Sequence, residues 1–154
     1  MVKYTIPQDR EEIALSIQEY ITHSPEETAQ LGRELAKSMD SVSVIALYGG
    51  LGAGKTAFVS GVAEGFACRQ RASSPTYNIV NEYYGSRRVC HFDMYRITDS
   101  ERLFEIGWEE YVDSDALCIV EWSENIEDAL PDDCWKIVIE KLSDTQRKIQ
   151  VIKC

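Results

Sequence analysis

The sequence lacks an apolar run long enough to cross a membrane, which takes about 20 consecutive residues. Its opening stretch, Met1 to Arg10, has no continuous apolar core of the kind a secretory signal needs. These two absences predict a cytoplasmic protein with no membrane partner. Tracts rich in Pro, Gly or Ser are missing, as are low-complexity segments and repeats, so no linker divides the chain. Cysteine is present but unorganised. The 5 residues, at 68, 90, 118, 134 and 154, are odd in number and never at C-x-x-C spacing. That argues against a disulfide framework and against a zinc clip. Cys90 and Cys118 lie inside apolar runs and read as small core residues. Positive charge is also scarce, with 16 Lys and Arg against 26 Asp and Glu and a net charge of −10. Such a surface repels phosphate backbones at long range and disfavours tight nucleic-acid binding by this chain alone. Acidity otherwise serves solubility, or suits a basic or neutral protein partner.

What the sequence does hold is one compact domain's worth of residues, 154 of them with an apolar share of 44%. Residues 1–15 read as an N-terminal extension, with a short helix over Gln8 to Ile17, and residues 16–154 as a single domain. Gln18 to Thr22 predicts a first strand. Ser24-Pro25-Glu26-Glu27 predicts a helix start: Ser24 caps, Pro25 suits the first turn and Glu27 completes a capping box. Leu31, Leu35 and Met39 follow at helical spacing. Val42 to Tyr48 is an almost unbroken apolar strand, of the kind buried on both faces. A helix is expected from Lys55 to Phe66. Tyr77 to Tyr84 and Arg88 to Phe92 form a hairpin across Gly85-Ser86. Asp99 caps a short helix bearing Leu103 and Ile106, and Ala116 to Val120 is another apolar strand. Trp135 to Leu142 and Lys148 to Ile152 pair as antiparallel strands around Ser143-Asp144. This alternation of βα units with hairpins predicts an α/β fold: a P-loop NTPase-like three-layer sandwich whose mixed parallel and antiparallel sheet is flanked by helices.

Between the apolar strand and the next helix, Gly49 to Thr56 reads GGLGAGKT, the pattern G-x-x-x-x-G-K-T. Glycines at this spacing let backbone N–H groups turn inward around phosphates, and the following helix points its positive end at them. Lys55 is placed to reach the β- and γ-phosphates, and the Thr56 hydroxyl to ligate Mg²⁺. Gly50, Leu51, Gly52, Ala53, Gly54, Lys55, Thr56 and Ala57 are thus the expected nucleotide-binding residues, with ATP and Mg²⁺ as the cofactors. Glu121 closes the strand Ala116 to Val120, the Walker-B position for a metal or its water. On its own an acid at a strand end is commonly solvated surface. Asp93, in His91-Phe92-Asp93-Met94-Tyr95-Arg96, is placed to order water or metal at the same sheet edge. His91 alternates with Asp93 and reads as a hydrogen-bonded structural histidine.

The combination G-x-L-G-A-G-K-T, S-P-T-Y, H-F-D-M-Y-R and E-W resembles the TsaE (YjeE) family, from about Gln18 to the C-terminus. These are small bacterial ATPases required for threonylcarbamoyl-adenosine modification of tRNA. The resemblance implies that Lys55 and Thr56 bind the triphosphate and Mg²⁺. It implies that Glu121 binds metal and that Asp93 takes part in hydrolysis. It places Trp122 beside the nucleotide, Ser74 to Thr76 as a switch segment sensing the γ-phosphate, and Ser24 to Thr28 near the adenine. It implies two partner subunits, TsaB and TsaD, with tRNA met only through the complex. Many relatives carry Thr where this chain has Ala57, which removes one hydroxyl near the α-phosphate. Competing readings are a small-molecule kinase, for which Arg87, Arg88 and Arg96 are candidate lid residues, and a nucleotide-gated adaptor without useful turnover. A GTPase needs Asn-Lys-x-Asp, and Asn125-Ile126-Glu127-Asp128 lacks the lysine.

Overall fold

A computed structural model of the chain describes residues 4–6, 16–75 and 79–153, the first of these as backbone alone. The strands run β1 (Tyr4–Ile6), β2 (Ser16–Thr22), β3 (Val44–Tyr48), β4 (Val80–Tyr83), β5 (Val89–Asp93), β6 (Leu117–Glu121), β7 (Trp135–Lys141) and β8 (Arg147–Lys153). The helices are α1 (Pro25–Ala36), α2 (Lys55–Gly65), α3 (Ser100–Glu105) and α4 (Trp108–Asp113), with a 3₁₀ stretch over Ser123–Ala129. All eight strands form one sheet in the order β1-β2-β8-β7-β3-β6-β5-β4. The centre is parallel, β7 with β3, β3 with β6 and β6 with β5, while the flanks pair antiparallel. The mixed sheet between helical layers is as the sequence predicts.

The central strands show why an unbroken apolar run is needed. Ile45 and Leu47 of β3 join Ile119 and Ile137 in a core covered by Leu31 and Leu35 of α1 and Phe58 and Val62 of α2. The alternate residues Val44, Cys118 and Val120 face a second core under Leu103, Trp108 and Ile126. Both faces of the sheet are therefore dry. Burial pushes the Cys90 and Cys118 thiols up to about 12, so both stay protonated; Cys118 packs, and Cys90 also donates to a Glu82 oxygen at 3.8 Å.

Both predicted N-caps form: the Ser24 hydroxyl accepts from the Glu27 N–H at 3.1 Å, and the Asp99 carboxylate from the Arg102 N–H at 2.9 Å. The capping box is shifted by one residue, because the Glu27 carboxylate accepts from the His23 N–H at 2.7 Å rather than from Ser24. Four elements depart from expectation. Ser16 and Ile17 do not end a helix; they open β2, whose partner β8 supplies a full antiparallel ladder. The rest of the expected Gln8 helix lies outside the described residues. Tyr4–Ile6, within the segment read as an extension, adds a further strand beside β2. The helix α4 and the 3₁₀ stretch are too short to carry a readable period. Among the described residues no helix is long and apolar enough to cross a membrane.

Candidate phosphate-binding site

Parallel strands β3, β6 and β5 lie side by side, so the segments leaving their carboxyl ends meet at one edge, where open α/β sheets bind ligands. From β3 comes the glycine loop. Gly54 has φ 106°, a left-handed conformation that a side chain resists, and it turns the chain directly into α2. Leu51 at the loop tip is fully exposed, leaving the loop open to solvent.

Lys55, first in α2, folds back over this loop. Its ammonium donates to the Gly49 carbonyl at 2.8 Å and stands 3.4 Å from Glu121 Oε1. Glu121 ends β6 and is 6% exposed. Its second oxygen lies 3.3 Å from His91 Nε2 on the neighbouring strand β5, within ion-pair reach but outside hydrogen-bond geometry. Burial pushes the Glu121 carboxyl up, yet His91 and then Lys55 outweigh it and hold the group below its ordinary value. Glu121 is therefore a buried carboxylate kept charged by two cation-capable neighbours. His91 is itself fully buried, and its Nδ1 has no hydrogen-bond partner. The expectation of a hydrogen-bonded structural histidine is thus corrected: among the described residues the polar neighbour of His91 is Glu121.

Asp93 ends β5 in direct register with Glu121. One of its oxygens accepts from the Tyr95 N–H at 2.9 Å. The turn after it is pinned: the Met94 N–H donates to the Glu121 carbonyl at 3.0 Å, and the Asn125 amide donates to the Met94 carbonyl at 2.8 Å. Trp122 follows Glu121 with φ 58°, a left-handed conformation that costs a bulky residue roughly 1–3 kcal/mol. It is 43% exposed, with its ring edge-on to Tyr95 at 4.9 Å. Such strain is kept where surroundings over-determine it, and here Asn125 and Tyr95 do so.

Thr56 is exposed, and its hydroxyl sits 3.0 Å from the Ser74 hydroxyl, so the segment read as a switch touches the expected metal-binding residue. Ser74 and Pro75 are described; Thr76 is not. The start of α1 also abuts the loop: a Cβ built on Gly54 would stand 4.0 Å from the Thr28 methyl and 4.0 Å from Arg147 Nε. Of the segment Ser24 to Thr28, Thr28 therefore borders the glycine loop. Ala57 is half-buried in the first turn of α2.

The donor set suits a hard cation. Thr56 and Glu121 offer oxygens, and Mg²⁺ typically takes one or two protein oxygens and completes its shell with phosphate and water. Among the described residues no group of three His, Cys, Asp or Glu side chains forms a self-sufficient metal cage. Of the arginines weighed for a kinase lid, Arg87 and Arg88 are engaged elsewhere, while Arg96 is exposed in the turn after Asp93. Arg87 donates to the carbonyls of Met39, Val42, Asp115 and Ala116, which precede β3 and β6 at the opposite end of the sheet. Arg88 pairs with Glu82 at 3.0 Å. The residue sequence reasoning missed is Arg147, whose guanidinium donates to the loop carbonyls of Ala53 at 2.9 Å and Gly52 at 3.2 Å.

Comparison with known proteins bears on this geometry. A family model described as "Threonylcarbamoyl adenosine biosynthesis protein TsaE" matches residues 22–149. The tRNA threonylcarbamoyladenosine biosynthesis protein TsaE of Treponema pallidum (strain Nichols) is 34% identical over 131 residues, covering 85% of this chain and 97% of that one. Its counterpart of that name in Bacillus subtilis (strain 168) is 38% identical over 129 residues, covering 83% of this chain and 80% of that one. A crystal structure of Bacillus subtilis YdiB superposes with a TM-score of 0.74 at 32% identity, covering 90% of this chain and 86% of that one. With the match spanning the glycine loop, both strand-end carboxylates and Arg147, the chain belongs to the TsaE family, whose members are named for tRNA threonylcarbamoyladenosine biosynthesis.

Proposed function

We propose that this chain binds ATP with Mg²⁺ and hydrolyses it as an accessory subunit of the machinery that makes N6-threonylcarbamoyladenosine at tRNA position 37, working with TsaB and TsaD. The observation that carries the reading is the convergence of Lys55, Glu121 and Asp93 at one strand edge beside a left-handed glycine loop. The residues divide the work. Loop amides from Gly50 to Thr56 and the Lys55 ammonium hold the phosphates. The Thr56 hydroxyl and the Glu121 carboxylate would hold Mg²⁺, while Trp122 and Ala57 would border the nucleotide. When bound, Mg²⁺ neutralises phosphate charge and so makes the terminal phosphorus easier to attack. Asp93 orients the attacking water and accepts its proton. A phosphate engaging Lys55 would leave Glu121, already ionised, free to act as a metal ligand. The net charge of −10 suits a cytoplasmic protein that meets tRNA only through its partners.

Asp93→Asn tests the division of labour. Asparagine keeps an oxygen for the Tyr95 N–H and loses the charge, so ATP should bind within about threefold of the parent affinity. Turnover should fall about 100-fold, as expected for loss of a positioned base. The decisive assay is tRNA modification with purified TsaB, TsaD and this chain, scored as product per complex. Repeated cycles are expected with the parent chain and a single cycle or none with the Asp93 variant. Multiple cycles without this chain, or full modification by this chain alone, would overturn the accessory reading.

Glu121→Gln tests the metal. An amide is a poorer ligand than a carboxylate for a hard cation, so the Mg²⁺ concentration for half-maximal ATPase should rise at least about tenfold, near 1.4 kcal/mol. Nucleotide affinity in excess chelator should change less. A Mg²⁺ titration overlaying that of the parent would remove Glu121 from the metal site.

A further inference from the structure

Arg147 opens β8, two strands from β3 in the sheet and 94 residues from Ala53 in the chain. The β7–β8 turn lies at the edge where the glycine loop emerges, so the start of β8 reaches the loop from the side opposite Glu121. Every nitrogen of its guanidinium is used. Nε donates to the Ala53 carbonyl at 2.9 Å and Nη2 to the Gly52 carbonyl at 3.2 Å. Nη1 donates to the Ser143 carbonyl at 2.7 Å and the Gln146 carbonyl at 3.0 Å. All four acceptors are neutral, and among the described residues no carboxylate lies within ion-pair distance of this cation.

This arrangement bears on the loop's binding edge through peptide geometry. A trans peptide points its C=O and the next residue's N–H in opposite directions, and the chain has no cis peptide bonds among the described residues. Holding the Ala53 carbonyl outward on Arg147 therefore turns the Gly54 N–H toward the opposite side, the interior of the loop. Holding the Gly52 carbonyl outward turns the Ala53 N–H inward as well, where it donates to the Gly50 carbonyl at 3.1 Å and closes the turn. The loop has little else to hold it from outside. Its tip is exposed, Lys55 contacts it from its own helix, and among the described residues Arg147 makes its long-range side-chain hydrogen bonds. A planar fork bridges two successive carbonyls on one side and the hairpin turn on the other, which a lysine ammonium does not do with fixed spacing.

We infer that Arg147 is a positioning residue for nucleotide binding: it locks the Gly52 and Ala53 carbonyls outward so that the loop's amide edge is formed before phosphate arrives, and it ties that edge to the β7–β8 hairpin. This rests on the phosphate-binding reading of the loop. Preorganisation of this kind raises affinity by removing an ordering cost from the binding step. Because the amides concerned face phosphates common to both nucleotides, the effect falls equally on ATP and ADP.

The test is calorimetric affinity for Mg·ATP and Mg·ADP on the full chain carrying Arg147→Met, Arg147→Lys or, as a reference, Lys55→Ala. Arg147→Met is expected to weaken both nucleotides by a similar factor of about tenfold, the scale of losing charge-assisted hydrogen bonds. Arg147→Lys keeps the charge and loses the fork, and it is expected to bind nearly as weakly as the methionine variant. In ¹H–¹⁵N spectra of the unliganded lysine variant, the Gly54 amide should shift and exchange faster while amides of α1 stay in place, a readout a merely stabilising side chain would not give. Should Arg147→Met fail to fold, the lysine variant carries both measurements. Parental affinity in both Arg147 variants, or full affinity with lysine and an unmoved Gly54 amide, would overturn the assignment. If Lys55→Ala also left affinity unchanged, the loop reading itself would fall. Loss with Lys55→Ala but not with Arg147 variants would sink this inference alone.

Discussion

Lys55→Ala is expected to raise the dissociation constant for Mg·ATP at least about 100-fold while the protein still folds. The first half follows from what the ammonium offers: several donors and a full charge against phosphate oxygens, with hydrogen bonds to charged groups worth about 1.5–3 kcal/mol each. Two such bonds span roughly two orders of magnitude in affinity. The second half follows from where the ammonium sits without nucleotide. It donates to the Gly49 carbonyl and stands beside Glu121, with its side chain 21% exposed. Its loss leaves Glu121 with His91 as neighbour and admits water, so the stability cost should be about 1–2 kcal/mol, short of the larger penalty for a fully buried orphan charge. That corresponds to a melting point lower by about 2–8 °C for a domain of this size. The Glu121 carboxyl is depressed in the folded protein, so its stabilisation is present above the ordinary value of 4.5 and is lost as pH falls through the lower folded-state value. The variant should lose part of that stabilisation at pH 7 and melt closer to the parent at pH 4. Adding Glu121→Gln to Lys55→Ala should recover most of the melting point and none of the affinity. Unchanged nucleotide affinity in the single variant would remove Lys55 from the phosphate site.

How far the sequence alone reveals this site depends on how local each signal is. The glycine loop is contiguous, and its strand and helix neighbours carry their own apolar patterns, so Gly49 to Thr56 can be placed without a structure. Glu121 and Asp93 are readable because each closes an apolar strand, although their direct register appears only once β5 and β6 are paired. His91 misleads because its neighbour Glu121 lies on another strand, 30 residues on in the sequence. Arg147 gives no signal: it opens an ordinary alternating strand, and its role comes from a turn delivered beside the loop by two intervening pairings. Trp108 gives no readable signal in the sequence, yet it is 3% exposed and meets Phe92 edge-on at 5.2 Å. Its helix is two turns at most, too short for periodicity to declare a buried face.

Gly61→Ala should be the most destabilising of the small substitutions, and the reason is the crossing of α1 over α2. A Cβ built on Gly61 would fall 1.8 Å from the Ala29 carbonyl oxygen and 2.6 Å from its carbonyl carbon. These are backbone atoms of a helix fixed by Leu31 and Leu35 in the core, so no side-chain rotation relieves the clash. Alanine is intrinsically better in a helix by about 1 kcal/mol, but the helices must part to admit the methyl, and overpacking costs about 1–3 kcal/mol or more when backbone has to move. Sterics therefore win, with a net loss of at least about 2 kcal/mol and a melting point lower by at least about 4–8 °C. The Arg33–Glu64 ion pair bridges the same two helices, with side chains 48% and 49% exposed. An exposed pair of that kind contributes about 0–1 kcal/mol, so Glu64→Ala should barely move the melting point. The comparison reaches the site as well, because α1 begins at Thr28's turn against the glycine loop. Displacing α1 should weaken ATP binding in Gly61→Ala several-fold, with no such change in Glu64→Ala. Equal melting points for the two variants would mean that the helices are held apart from one another and that the close crossing is not what seats α1 beside the nucleotide edge.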